Sequence, residues 1–393
     1  MRFLAFLPRF FLILLISLFL QPAFSKAVNQ NPKALSSFEV AKPGYWYRFP
    51  QDHLAHPSFA NEWWYYTGNL TSKRLNKEFG YQLTFFRVAL EPGGESIYLA
   101  HFALSDLSKK KFYFSERVNR NILQKAGASS VTSLGATSMA NKKSIKDVLV
   151  WNKDWSTQIY GTGELHQLNA SSKDDEGNEY SIQLRLRTNK TPVIQGKKGE
   201  GLSRKGKCLS CASHYYSYPV LETFGKITVD GEDFQVSGKS WMDHEFGSSQ
   251  LMENQVGWDW FSIQMYDGSS LMLYRMREKN GKTSEFSSGT FLPHSGQAQH
   301  LERKDFFLKA KKYWQSDETK VKYPLVWDVT VPSYDLGLRI IPKMTHQELV
   351  TQKSTKVSYW EGAIEVLDRV SGKRVGEGYL ELTGYDGKLK GKF

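Results

Sequence analysis

From Tyr45 onward the chain is filled with short runs in which apolar and polar residues alternate, each closed by turn-forming residues. A period of two is the pattern of a strand with one buried face. Glu62–Leu70 is aromatic and β-branched and closes on Gly68-Asn69. Tyr81–Val88 and Ile97–Asp106 follow at hairpin distance, then Val148–Trp151, Gln158–Leu165, Ser181–Thr188 and Leu221–Val229 before Asp230-Gly231. Gly257–Tyr266 ends in the hairpin pair Asp267-Gly268, and Ser270–Arg277 returns. Ser287–Phe291, Ala298–Arg303, Leu325–Val331, Leu336–Ile341, Tyr359–Val366 and Gly378–Leu382 complete the series. No stretch holds a 3.6-residue apolar period, so the expected class is all-β. Residues 107–150 carry the weakest pattern and are read as a short helix or an irregular loop.

The two halves are built alike, each with an aromatic-rich strand, a hairpin, and a return strand ending in Arg. Trp63-Trp64-Tyr65 in one half answers Trp258-Asp259-Trp260 in the other. A chain of 393 residues suits about two domains. The Asp230-Gly231 turn sets the expected division into antiparallel barrels at 45–230 and 231–393, after a mobile leader at 26–44. A barrel of about eight strands encloses side chains or one small ligand.

The N-terminus changes the expected compartment. Arg2 and Arg9 flank an apolar run, Phe10–Leu20, followed by Ala23-Phe24-Ser25. That is the layout of a cleaved export signal over residues 1–25, with a periplasmic or secreted product; an uncleaved anchor is the competing reading. In an oxidising compartment the two cysteines, Cys208 and Cys211, would form a small-loop disulfide. The formal charge of +12 is spread over lysine pairs in loops, without an arginine-rich or nucleic-acid motif. Nucleic acid is therefore not an expected partner, while peripheral contact with anionic lipid is compatible with the charge.

Three clusters could carry chemistry: Asp52-His53, His56 and Glu62-Trp63-Trp64-Tyr65; His214-Tyr215-Tyr216-Ser217; and Trp241-Met242-Asp243-His244-Glu245 with Trp258-Asp259-Trp260. Tryptophan and tyrosine rings make a polarisable wall for an apolar ligand and can stabilise a cation. Taken singly, each ring is equally an ordinary core residue. A carboxyl group among rings is kept neutral and can donate a proton, unless it is paired with an arginine such as Arg87 or Arg275. The histidine spacings fit no compact metal motif, so no metal or other cofactor is expected. A Gly-x-Ser-x-Gly elbow and a Gly-rich phosphate loop are absent from the sequence.

Several of these strings resemble the AttH and carotenoid 1,2-hydratase family. They are Asp52-His53-x-x-His56-Pro57 leading into Glu62–Gly68, Gly80–Arg87, Trp241–Ser248 and Gly257–Trp260. The resemblance runs from about Tyr45 to the C-terminus and implies two lipocalin-like β-barrel domains. In the hydratase branch an Asp protonates a terminal alkene of an acyclic carotenoid, and water captures the carbocation. That branch has a His-x-aromatic pair followed by an aromatic-x-Asp pair, which His214-x-Tyr216 and Trp241-x-Asp243 would match. Carried over, Asp243 is the general acid and His214 tunes it or positions water. Tyr216 and Trp241 line the pocket, with Glu62, Trp63, Trp64, Tyr65, Trp258 and Trp260 as further ligand contacts. The sequence departs from that branch at Tyr216, Trp241 and Glu245, where the branch has Trp, Tyr and Asn. Three readings follow: a hydratase-like or hydrolase-like enzyme on an apolar isoprenoid or lipid, a lipid carrier using the same pocket, and a partner protein whose pocket its own side chains fill.

Overall fold

The computed structural model describes residues 38–131, 147–208, 210–248 and 251–389. The expected export signal at 1–25 lies outside them. Thirteen strands form a first antiparallel sheet: β1 (Asn61–Ser72), β2 (Lys77–Ala89), β3 (Ser96–Asp106), β4 (Lys111–Arg120), β5 (Ala126–Val131), β6 (Asp147–Asn152), β7 (Trp155–Tyr160), β8 (Leu165–Lys173), β9 (Glu179–Arg187), β10 (Val193–Ile194), β11 (Ser203–Arg204), β12 (Ala212–Val229) and β13 (Glu232–Gly247). Ten strands form a second: β14 (Gln255–Met265), β15 (Ser270–Glu278), β16 (Ser288–Leu292), β17 (Gln299–Glu302), β18 (Phe307–Gln315), β19 (Lys322–Val331), β20 (Leu336–Pro342), β21 (Glu348–Val350), β22 (Ser358–Asp368) and β23 (Arg374–Thr383). Both are lipocalin-like: the first is a nearly closed barrel and the second a half-barrel.

The order of the first sheet is β4-β3-β2-β1-β13-β12-β9-β8-β7-β6-β5, so the late hairpin β12–β13 is inserted beside β1. Asp230-Gly231 is the tip of that hairpin, where Val229 pairs with Glu232. The passage between sheets therefore lies between Gly247 and Gln255, not at residue 230. Residues expected as helix or loop include β4 and β5; residues 132–146 lie outside the described ones. The single strand expected at Gln158–Leu165 is broken by a turn into β7 and β8. Within the expected mobile leader, Phe38 packs on Ala60 and Ala89, and Ala41 on Leu202 and Ala212. Those contacts fix the described end of the leader to the first barrel.

Each barrel has its own core, made by one face of most of its strands. Trp64, Tyr66, Phe85, Phe102 and Tyr216 point into the first barrel. Phe261, Trp327, Trp360 and Leu380 point into the second. The opposite faces of β1, β2, β12 and β13 pack on the opposite faces of β14, β15, β22 and β23, with Tyr65, Tyr215, Trp241, Trp260, Tyr274 and Tyr379 meeting there.

Candidate functional site

The pleat decides which aromatic residues reach open space. Successive side chains on a strand point to opposite faces, so Trp63 and Tyr65 face the seam between the barrels while Trp64 and Tyr66 fill the first barrel. The barrel interiors are occupied by side chains. A cavity lies in the seam, walled by Trp63, Tyr65, Tyr215, Trp258, Trp260 and Tyr359 among others. It offers about 110 Å³, room for several waters or the core of a small ligand.

Asp243 sits in this wall and is buried. Tyr215 Oη donates to its Oδ2 (2.6 Å), and Ser217 Oγ (2.5 Å) and Trp241 Nε1 (2.7 Å) donate to its Oδ1. Trp260 Nε1 donates in turn to Tyr215 Oη (3.1 Å). Burial pushes the Asp243 carboxyl up to about 7, and Glu245 adds to the rise, although the three donors favour the charged form. Beside it Glu245 accepts from Ser213 Oγ and pairs with Lys205 Nζ at 3.3 Å. Lys205 also lies 3.9 Å over the Tyr274 ring. Burial would lower its pKa, but the Glu245 carboxylate outweighs that and holds it raised.

The opposing barrel supplies two more carboxyls, the buried Glu361 and the half-buried Glu381, paired across β22 and β23. Trp258 Nε1 (3.0 Å) and Thr383 Oγ1 (2.7 Å) donate to Glu381, yet burial raises it to about 7. Burial and the neighbouring Glu381 hold Glu361 well above the usual carboxylate range. A directed chain also leaves the seam. Tyr359 Oη lies 2.7 Å from His101 Nδ1, His101 Nε2 lies 2.8 Å from Ser354 Oγ, and Ser354 Oγ donates to Glu116. Glu116 is fixed by the backbone N–H groups of Gln352, Lys353 and Ser354 at the rim. Burial lowers His101 to about 4, so it is neutral at pH 7, with Nδ1 accepting from Tyr359 Oη and Nε2 donating to Ser354 Oγ.

The expected partners of Asp243 divide. Trp241 touches it, whereas His214 and Tyr216 lie on the other face of β12. His214 Nδ1 bonds Gly201 O (2.8 Å) and its ring packs on Tyr45, and Tyr216 Oη joins His53 and His244. A β-bulge between Tyr218 and Leu221 is the cause. Near the hairpin tip Leu221 pairs with Ser240; beyond the bulge Tyr218 pairs with Met242. Without that one-residue slip Asp243 would share a face with His214 and Tyr216. With it, Ser217 and Tyr215 take their places. Pro219, which has no N–H to give a ladder, sits in the bulge.

Of the expected ligand contacts, Trp63, Tyr65, Trp258 and Trp260 line the cavity. Trp64 and Glu62 do not. Glu62 is a fully buried anion on the interior side, bound by Arg87 Nε (2.8 Å), His56 Nδ1 (2.7 Å) and His244 Nε2 (2.8 Å). Burial would raise its pKa, but His56 and Arg87 hold it well below the carboxylate range. Among the described residues His56, Glu62 and His244 are the one set spaced to hold a metal. Their donor atoms are engaged with one another, and Arg87 already supplies Glu62 with a cation. Asp259 is likewise paired, with Arg275 and Arg277. Cys208 and Cys211 are bonded to each other, and Cys211 O accepts from the N–H groups of Lys205 and Gly206 (2.7 and 3.1 Å), which anchors the segment bearing Lys205.

Sequence reasoning placed Tyr215 and Ser217 in a candidate cluster without a role for either, weighed His101 only as a metal ligand, and missed Lys205, Ser354, Glu361 and Glu381. One signal was available: Tyr359-x-Glu361 and Tyr379-x-Glu381 each place a tyrosine and a carboxyl on one strand face.

The family model described as AttH-like matches residues 40–385. Among solved structures, an AttH from Nitrosomonas europaea is 31% identical, with a TM-score of 0.74 over 88% of this chain and 100% of that one. Kievitone hydratase from Nectria haematococca shares the fold at 15% identity, with a TM-score of 0.61 over 89% and 98% of the two chains. A curated relative, the dehydratase asqC of Emericella nidulans, is 22% identical over 199 residues, 49% of this chain and 55% of that protein. The match spans about half the length of that relative.

Proposed function

The chain belongs to the AttH-like family, and on that premise we propose that it adds water to, or removes it from, a largely apolar small molecule held in the seam between its barrels. The observation that carries this reading is Asp243: a buried carboxyl with a pKa of about 7, at hydrogen-bond distance from Tyr215 and set in a wall of tryptophan and tyrosine rings. Such a group is half protonated at neutral pH, the condition for efficient proton donation. In the hydration direction Asp243 protonates an alkene carbon, and the π pair forms the new C–H bond. The cation left on the neighbouring carbon is stabilised by ring faces and by the excluded bulk water. Water forms the C–O bond, and its surplus proton passes to Tyr359 as the proton of Tyr359 moves through His101 and Ser354 to Glu116. Solvent then restores Asp243 and Glu116. Dehydration is the reverse. The activities named for the hydratase and dehydratase relatives agree with this class of chemistry. The apolar run at Phe10–Leu20 and the Cys208–Cys211 bond support an exported protein.

The test is incubation of the full protein with acyclic terpenes and prenylated phenols in ¹⁸O-labelled water, with mass spectrometry of the products. Wild-type protein is expected to yield a product heavier by one labelled water. Asp243→Asn is expected to lower its rate by about a hundredfold or more while leaving tryptophan quenching by the same compound intact. Turnover retained in Asp243→Asn, or no labelled product with wild type, overturns the proposal.

A further inference from the structure

Three side chains on the seam have polar atoms that the fold leaves short of a well-formed hydrogen bond. Tyr65, Gln82 and Glu361 are buried to 6%, 1% and 2% exposure, and all three line the cavity. Neither Tyr65 Oη, nor Gln82 Oε1, nor Glu361 Oε1 has a well-formed hydrogen bond. The amide nitrogen of Gln82 is spent on Thr84 Oγ1 (2.5 Å), which aims its carbonyl oxygen away from its own strand.

These atoms converge for a geometric reason. Gly80 of β2 faces Ala363 and Tyr379 so closely that a Cβ there would stand 2.9 Å from Ala363 Cβ and 2.7 Å from Tyr379 Oη. Two residues along the same face of each strand stand Gln82 and Glu361, and both line the cavity. Tyr65, on β1 beside β2, is within hydrogen-bonding reach of Glu361, and this contact of imperfect geometry shifts the ionisation of both. The contrast with the rest of the wall is sharp: Asp243, Glu245 and Glu381 all have donors. A buried polar atom without a good partner is costly, and three lining one cavity mark a place built for a polar group.

We propose that Tyr65, Gln82 and Glu361 form a hydroxyl-binding subsite, and that the ligand of the seam is an oxygenated apolar molecule, an alcohol or phenol, in place of a pure hydrocarbon. A hydroxyl group matches the set because it both donates and accepts. It gives its proton to Gln82 Oε1 and accepts from Tyr65 Oη or from the carboxyl of Glu361, whose burial beside Glu381 keeps it neutral. A carbonyl would use only the donors. The rings of Trp63, Trp258 and Trp260 take the hydrocarbon part, and the anchored hydroxyl fixes which carbon is presented to Asp243. The inference rests on the seam being the working site; it concerns binding, so it stands or falls separately from the role of Asp243.

The full-length protein is titrated with two probes, geraniol and 2,6-dimethylocta-2,6-diene, the same skeleton without the hydroxyl, by quenching of intrinsic tryptophan fluorescence. Geraniol is expected to bind about tenfold tighter or more. Gln82→Leu and Tyr65→Phe, the second of which removes a single oxygen atom, are each expected to bring the ratio towards one by weakening geraniol alone. Asp243→Asn is expected to keep the ratio. Equal affinity of wild type for both probes, as when water alone fills these atoms, overturns the proposal. So does binding of neither probe, or a ratio that survives both substitutions.

Discussion

The strands β1, β12 and β13 carry a buried polar network on each face, and the two networks differ in how well their charges are matched. On the interior face Glu62 is enclosed by Arg87, His56 and His244, and Tyr216 links His244 to His53. On the seam face Asp243 receives only neutral donors, and Glu361 lacks even those at one oxygen. Burial is common to both. What separates them is compensation: a cation beside a buried carboxylate holds it ionised and inert, whereas neutral donors leave it near the point of protonation. The interior network is thus architecture and the seam network is chemistry.

The largest expected effect that sharpens this contrast is on stability. Glu62→Gln strands Arg87 and His56 without their counter-charge and is expected to cost about 3–5 kcal/mol in urea unfolding. Asp243→Asn at pH 8 is expected to cost about 1 kcal/mol or less, since it removes a carboxylate that burial already disfavours. Equal costs would erase the distinction between the faces.

A second contrast lies in pH. Asp243 and Glu381 have raised folded pKa values of about 7, so the folded state binds more protons than the unfolded one between about pH 4 and 7. Their contribution falls as pH rises through that window, by up to about 1.4 kcal/mol per pH unit per group. Glu62 is depressed, so its contribution is present above the ordinary carboxylate range and is lost as pH falls through its folded value. Unfolding curves from pH 3 to 8 should show Asp243→Asn flattening the neutral limb and Glu62→Gln flattening the acid limb. The reverse assignment would break the comparison.

The smallest effect concerns the exit chain. Ser354→Ala interrupts the path between His101 and Glu116. It is expected to slow turnover about tenfold and to enlarge the solvent deuterium isotope effect, with little change in melting temperature. An unchanged isotope effect would leave the chain as a simple brace between the barrels.

How much of this could be read from the chain alone depends on what alternation encodes. Period-two runs located the strands around Trp63, Phe85, Trp258 and Tyr359, and the family strings announced two lipocalin-like barrels. Alternation was too faint to reveal β4 and β18. β18 is an edge strand with no fully buried residue, in which only Leu308, Ala310 and Trp314 reach the core and the alternation lapses at Lys311–Tyr313. The chain also states parity within a strand but not between strands. The bulge at Pro219-Val220 reverses the parity of β12 against β13, and this exchanged His214 and Tyr216 for Tyr215 and Ser217 beside Asp243. The same logic misassigned Trp64 and Glu62, whose neighbours Trp63 and Tyr65 do reach the cavity. Glu361 and Glu381 come from the other barrel, a tertiary contact that no local spacing records.

The placement of the cavity between two separately filled barrels bears on how such a protein changes over generations. Substitutions at Trp63, Gln82, Glu361 or Met276 alter the lining without opening a void in either hydrophobic interior. A lineage built this way can therefore trial new ligands at low risk to folding, because tolerance and novelty are assigned to different layers of the same strands.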